Sequence, residues 1–319
     1  MTSDTTDPSY WLNWRFFLCS LWVLISVGLG LFLICKYEAF NRSKRVREEN
    51  QQEADGSLCK DEAWKTCLKG IHPACLLSYR LIAFLVLLAL LIADAVTSGP
   101  EIFYFYTQWT FSLVVIYFGL GSSLSIYGCC INSNKSDAEG GSYMPSSVGG
   151  SVDMSSLLKN SNALQERHSW ETVDACVYIF QIIFQVCAGA VVLTDCVFWL
   201  VIYPFLTAKD FRLDFLIVCM HTVNAVFLLG DTALNCLRFP MFRFGYFVLW
   251  TSIFVLFQWI LHACVALWWP YPFLELASPY APLWYLAVGV LHIPCYGVYA
   301  LVVRLKHMWL SRTFPASSQ

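Results

Sequence analysis

The chain has 319 residues, of which 58% are hydrophobic, 17% aromatic and 13% charged, with mean hydropathy +0.57 and a formal net charge of −2. Soluble domains carry about twice that charged fraction, so the composition excludes an ordinary soluble enzyme. No basic-aromatic surface suited to nucleic acid, no phosphate loop, no HExxH and no internal repeat is present.

The apolar residues gather into seven runs, 14–35, 80–98, 103–127, 175–203, 213–234, 244–268 and 283–303. Each can cross a hydrocarbon core of about 30 Å as a helix. Backbone groups in lipid must bond internally, and no alternating ten-residue pattern points to a barrel. The fold class expected is all-α, a polytopic transmembrane bundle of about seven spans.

Residues 1–35 read as a tail and a first membrane anchor. The tail carries Asp4 and Asp7 rather than a basic cluster. The run is followed by "CKYEAFNRSKRVREEN" rather than a small-residue cleavage site, so it is expected to be an anchor and not a signal peptide. Residues 36–79 form a polar loop whose "RSKRVR" is an orientation signal and a contact for anionic lipid heads. Cys59, Cys67, Cys75 and His72 lie in or near it. Their spacing is not that of a usual zinc loop, and the expectation is no metal and no cofactor. Residues 80–305 form a core of six spans, interrupted by a Ser/Gly/Asn-rich loop at 131–170 that is expected to be disordered. Cys129 and Cys130, where that loop begins, are either lipidation sites or ordinary boundary cysteines. Residues 306–319 are a short tail.

Of the 20 Lys and Arg, all but Arg15, Lys209 and Arg212 fall in the loops 36–80, 128–174, 235–243 and 304–319. The positive-inside rule therefore predicts an outside or lumenal N-terminus and a cytosolic C-terminus. The sequons at Asn41 and Asn134 are then cytosolic and unglycosylated.

The spans carry polar stripes: Asp174, Gln181, Gln185 and Asp195 in the fourth, His221, Asn224 and Asp231 in the fifth, Gln258 and His262 in the sixth. Lipid cannot satisfy them, so they face one another or a wet cavity. At 1.5 Å per residue, Thr110, His221 and Asp195 lie about 12 Å inside the lumenal face, His292 about 13 Å, His262 about 10 Å and Asp94 about 8 Å. A nucleophilic hydroxyl at that depth needs a base, and histidine is the natural one. Thr110 with His221, and Asp195 orienting the imidazole, would form a triad for hydrolysis of lipid esters.

Several segments resemble a known family. "CMHTVNAV" resembles the Met-His-Thr segment of the androgen-induced family of multi-pass proteins, which includes the androgen-dependent regulator of tissue factor pathway inhibitor. "WWPYPFLEL" resembles its Trp-x-Tyr-Pro-Phe-Leu-Glu segment, "WTFSLVVIYFGLG" its second helix and "FWLVIYPFL" the end of its third. The resemblance covers about residues 80–305. It implies a threonine hydrolase of fatty acid esters of hydroxy fatty acids, with Thr110 as nucleophile and His221 as base. The chain departs from the family in its extra first span, its longer loops, "HAC" in place of paired histidines near His262, and Pro270. These features resemble the rolling stone-like branch, which implies a non-catalytic scaffold or fusion factor instead. A transporter and a zinc hydrolase using His221, His262, His292, Asp195 and Asp94 are the remaining readings. Membrane lipids, and a fatty acyl ester in the first reading, are the expected partners. The endoplasmic reticulum or the plasma membrane is the expected location.

Overall fold

A computed structural model describes residues 4–49, 63–68, 70–140, 154–207 and 212–315, with backbone only at 39–49, 132–140 and 154–172. The described residues form helices and no strand: α1 (Pro8–Trp11), α2 (Trp14–Glu49), α3 (Pro73–Ser98), α4 (Tyr106–Gly140), α5 (Met154–Val197), α6 (Phe215–Met220), α7 (Val223–Leu234), α8 (Phe244–Cys264) and α9 (Ala281–Thr313). Seven helical stretches are long and apolar enough to cross a membrane: Trp14–Glu38, Pro73–Ser98, Tyr106–Ile131, Val173–Leu206, Phe215–Leu234, Met241–Cys264 and Ala281–Thr313. They coincide with the seven runs read from the sequence. The protein is an all-α, multi-pass membrane protein.

Helix starts and stops follow local chemistry. Pro73 occupies the first turn of α3, where its missing N–H costs nothing, and the His72 ring accepts from the Ala74 N–H at 3.2 Å. Gly99, at φ +79°, ends α3 in a conformation that a side chain would disfavour. The Lys306 ammonium donates to the last carbonyls of α7, Thr232 O at 2.9 Å, and to Asn235 O at 2.7 Å. A cation there also complements the helix dipole.

α5 is the central helix and packs on α4, α7, α8 and α9. One core lies among α3, α4, α5 and α7, around Phe111, Tyr117, Phe118, Phe180 and Phe184. The other lies among α2, α8, α9 and the connection before α9, around Phe247, Phe254, Leu276 and Tyr296. The first anchor is thus part of the bundle. Where α2 crosses α8, Gly30 and Gly245 let the backbones meet: a Cβ on Gly245 would lie 2.6 Å from Gly30 O. Leu85, Ile116, Leu200, Ile253 and Leu301 point outward, as lipid-facing residues do.

The two ends of the bundle differ. One carries α1, the connection 99–105 and the connection 265–280, rich in Trp, Tyr and Phe. Trp269 Nε1 donates to Tyr10 Oη at 3.1 Å, and the Arg15 guanidinium donates to Ala277 O, so the tail is tied to this aromatic end. At the other, basic end, the segment from Ala63 folds back onto the bundle. Cys67 N–H donates to Leu234 O at 3.0 Å and its thiol contacts Asn235 O at 2.6 Å. Cys67 and His72 therefore serve the fold; Cys59 lies outside the described residues.

Arg80, read as the first residue of the second span and counted with the flanking loop for charge, sits within α3 and exposes no surface. Its Nε meets Asp231 Oδ1 at 2.8 Å, and its Nη1 donates to Ala63 O at 2.6 Å and Ser125 Oγ at 3.0 Å.

Candidate functional site

The fifth span is broken where the sequence placed its histidine. α6 ends at Met220, His221 has φ −110° and ψ 18°, Thr222 has φ −145° and ψ −48°, and α7 begins at Val223. Non-helical backbone at membrane depth persists only when protein groups satisfy it. Here Trp199 Nε1 donates to His221 O at 2.9 Å, while the Ala225 N–H turns to Asn224 Oδ1 at 2.8 Å. The facing helix is irregular too. After Val197 the chain continues as a π-helix, Phe198–Leu206, containing Pro204. Such widened turns concentrate at functional sites.

The two irregularities meet. The Phe198 ring stacks on the His221 imidazole, centroids 3.7 Å apart and planes 3° from parallel. His221 Nδ1 faces Asp195 Oδ1 at 3.6 Å, an ion-pair distance longer than a hydrogen bond. Neither atom has a hydrogen-bond partner. The imidazole and carboxylate singled out in the sequence are therefore neighbours, held by α5 on one side and the broken helix on the other.

Thr110 is completely buried on α4. Thr194 Oγ1, which donates to Ala190 O at 2.7 Å, lies 3.3 Å from the Thr110 hydroxyl, and Thr194 immediately precedes Asp195. Thr110 thus sits beside the residue next to Asp195, and its hydroxyl meets Thr194 rather than His221.

The other polar groups at this depth go elsewhere. Asp94 accepts from Gln108 Nε2 at 2.6 Å and from Ser98 Oγ at 3.1 Å. His262 stacks on Trp269 at 3.7 Å, and its Nδ1 lies 2.8 Å from Gln258 O. It braces the connection 265–280. His292 Nε2 lies 2.9 Å from Thr251 Oγ1. Among the described residues no three His, Cys, Asp or Glu side chains form a group that would hold a metal ion, so a zinc site built from these histidines has no geometry here. The amides of the stripes are structural: Gln185 Nε2 donates to Arg238 O at 3.0 Å, and Gln258 Nε2 to Tyr104 O at 2.7 Å.

Comparison with protein-family models, curated proteins and solved structures found no match. The functional reading therefore rests on the side chains themselves. Sequence reasoning missed the helix break, because neither Pro nor Gly marks residues 219–224. It also missed Thr251, one more threonine in an apolar helix. The only signal was that His292, predicted at the depth of Thr110, needed a partner.

Proposed function

We propose that this membrane protein is an intramembrane hydrolase of lipid esters, of the class formed between fatty acids and hydroxy fatty acids. The observation that carries the reading is the His221–Asp195 couple. A base and an acid, each with one buried atom lacking any other partner, face each other where two membrane helices abandon regular geometry. Holding an unsatisfied carboxylate oxygen at such depth costs stability, and strained, polar arrangements of that kind belong to sites. In this reading Thr110 is the nucleophile. Its hydroxyl releases Thr194, attacks the ester carbonyl and gives its proton to His221, which Asp195 stabilises as the imidazolium. The alcohol leaves with that proton, and water then releases the fatty acid from Thr110. The resemblance to the androgen-induced family supports the same residues. The predicted orientation places the couple nearer the lumenal face, in the endoplasmic reticulum or the plasma membrane.

The non-catalytic scaffold reading is favoured by the Thr110–Thr194 bond, which packs helices without chemistry. Labelling of membranes with a fluorophosphonate probe separates the two. Labelling of the wild type that disappears in Thr110→Ala and His221→Ala, at unchanged expression, supports the hydrolase. Absence of labelling in the wild type, or labelling that survives Thr110→Ala, removes the threonine mechanism and favours the scaffold.

A further inference from the structure

A partly open pocket of about 130 Å³ is lined by α2, α8, α9 and the connection before α9. Trp22, Val23, Val248, Val255, Val288 and Phe273 make its wall apolar. A volume of about 150 Å³ is enough to take up benzene, so this pocket has room for a short stretch of hydrocarbon. Two polar side chains of this wall, Thr251 and His292, are bonded to each other.

The protons on this pair are fixed by their partners. His292 Nδ1 lies 2.7 Å from Val288 O. A carbonyl only accepts, so in the neutral ring Nδ1 carries the hydrogen and Nε2 presents its lone pair. Nε2 faces Thr251 Oγ1 at 2.9 Å, so the threonine hydroxyl is the donor. Thr251 Oγ1 also lies 3.4 Å from Phe247 O, the ordinary partner of a helical threonine, but the imidazole is closer. Tyr106 Oη lies 2.8 Å from Thr251 Oγ1. With the threonine hydrogen committed to His292, the tyrosine O–H donates to the threonine oxygen. The Phe247 ring packs on His292 with centroids 4.6 Å apart and limits its rotation.

A hydroxyl that donates to imidazole Nε2, with the opposite nitrogen held by an acceptor, is the activated-nucleophile arrangement. We infer that Thr251, with His292 as its base, is the nucleophile of a second intramembrane site, which takes an ester whose acyl chain lies in the cavity between α2, α8 and α9. Thr251 Oγ1 bonds to the ester carbonyl carbon as its proton passes to His292 Nε2. The carbon–oxygen bond to the alcohol breaks, and the alcohol leaves with that proton. Water, deprotonated by His292, then attacks acyl-Thr251 and frees the carboxylic acid and the threonine. The inference uses none of Thr110, His221 and Asp195 and goes beyond the reading above. It also gives the first anchor, absent from the related family core, a role as one wall of the site.

The test is treatment of the purified full-length protein in lipid nanodiscs with a long-chain alkyl fluorophosphonate, followed by mass-spectrometric mapping of the modified residue. The expected result is a phosphonyl adduct on Thr251, kept in Thr251→Ser, absent in Thr251→Val and formed about a hundredfold more slowly in His292→Gln. An adduct on Thr110 and none on Thr251 overturns this inference and leaves the first site standing. The absence of any adduct overturns it as well. Mapping on the wild type depends on no variant folding, and the serine variant separates a lost nucleophile from a damaged helix.

Discussion

Arg80 on α3 and Asp231 on α7 are paired at 2.8 Å with neither side chain exposed. The carboxylate also accepts from the Tyr117 hydroxyl and from Asn235 Nδ2 at 2.7 Å, and the guanidinium lies over the Phe180 ring. Four helices and the folded-back segment at Ala63 thus converge on one ion pair. Arginine cannot shed its proton in a protein, so removal of the carboxylate leaves an uncompensated charge in the bundle. Asp231→Leu is expected to destabilise the protein by about 3–5 kcal/mol. The double variant Arg80→Leu/Asp231→Leu should recover a substantial part of that loss, since a neutral pair has no stranded charge. Thermal unfolding in detergent, followed by tryptophan fluorescence, checks both. A double variant as unstable as the single one would show that the pair does not act as a unit.

Asp195 presents the opposite case. Its Oδ1 has no hydrogen-bond partner and stands 3.6 Å from His221. Asp195→Asn keeps the shape while removing the acid. The melting temperature is expected to stay the same or rise. Ester hydrolysis, or probe labelling at Thr110, is expected to fall by about two to four orders of magnitude, because the imidazole loses the group that stabilises its protonated form. A residue retained for activity shows this divergence between stability and rate. Parallel loss of both would mark Asp195 as a structural residue and remove it from the mechanism.

The contrast between these two aspartates explains how far the sequence could be read. Hydrophobic runs of membrane length specify spans directly, so all seven were visible. What a helical period does not carry is which stripe faces which. Asp195 and Asp231 look alike in sequence, yet one meets His221 and the other meets Arg80. Arg80 was read at the very start of its span, because a charge beside an apolar run usually marks its end. The break at His221 depends on Trp199 and Asn224 taking over the displaced backbone bonds, and those are tertiary contacts. The Thr251–His292 couple joins residues 41 apart on different helices, so no local pattern announces it.

The distribution of Lys and Arg carries its own prediction about the two ends. The aromatic end, with Tyr10, Trp11, Trp268 and Trp269, should face the lumen or the exterior, and the basic end, with Cys67, Arg243 and Lys306, the cytosol. An N-terminal extension bearing a glycosylation sequon is therefore expected to be glycosylated in cells, while the natural sequons at Asn41 and Asn134 remain unmodified. A mass shift abolished by glycosidase reports the first, and site mapping reports the second. Modification at Asn41 or Asn134 would reverse the assigned orientation.

The crossing of α2 and α8 gives a prediction at single-methyl scale. Gly28 and Gly30 lie two residues apart on α2 but differ in setting: a Cβ on Gly28 meets nothing within 4 Å, whereas one on Gly30 would lie 3.0 Å from Gly245 O. From the other side, a Cβ on Gly245 would lie 2.6 Å from Gly30 O, a backbone atom that cannot turn away. Gly28→Ala should be neutral or stabilising by about 0.4–1 kcal/mol, since alanine suits a helix better than glycine. Gly245→Ala must push α2 off α8 and is expected to cost about 1–3 kcal/mol, the usual range for overpacking. The displaced helix carries Trp22 and Val23, which line the cavity beside Thr251 and His292. Gly245→Ala should therefore also slow the modification of Thr251 by a long-chain fluorophosphonate more than by a short-chain one, because the alkyl tail, not the hydroxyl, loses its wall. Equal slowing for both chain lengths would mean that α2 does not form the acyl pocket.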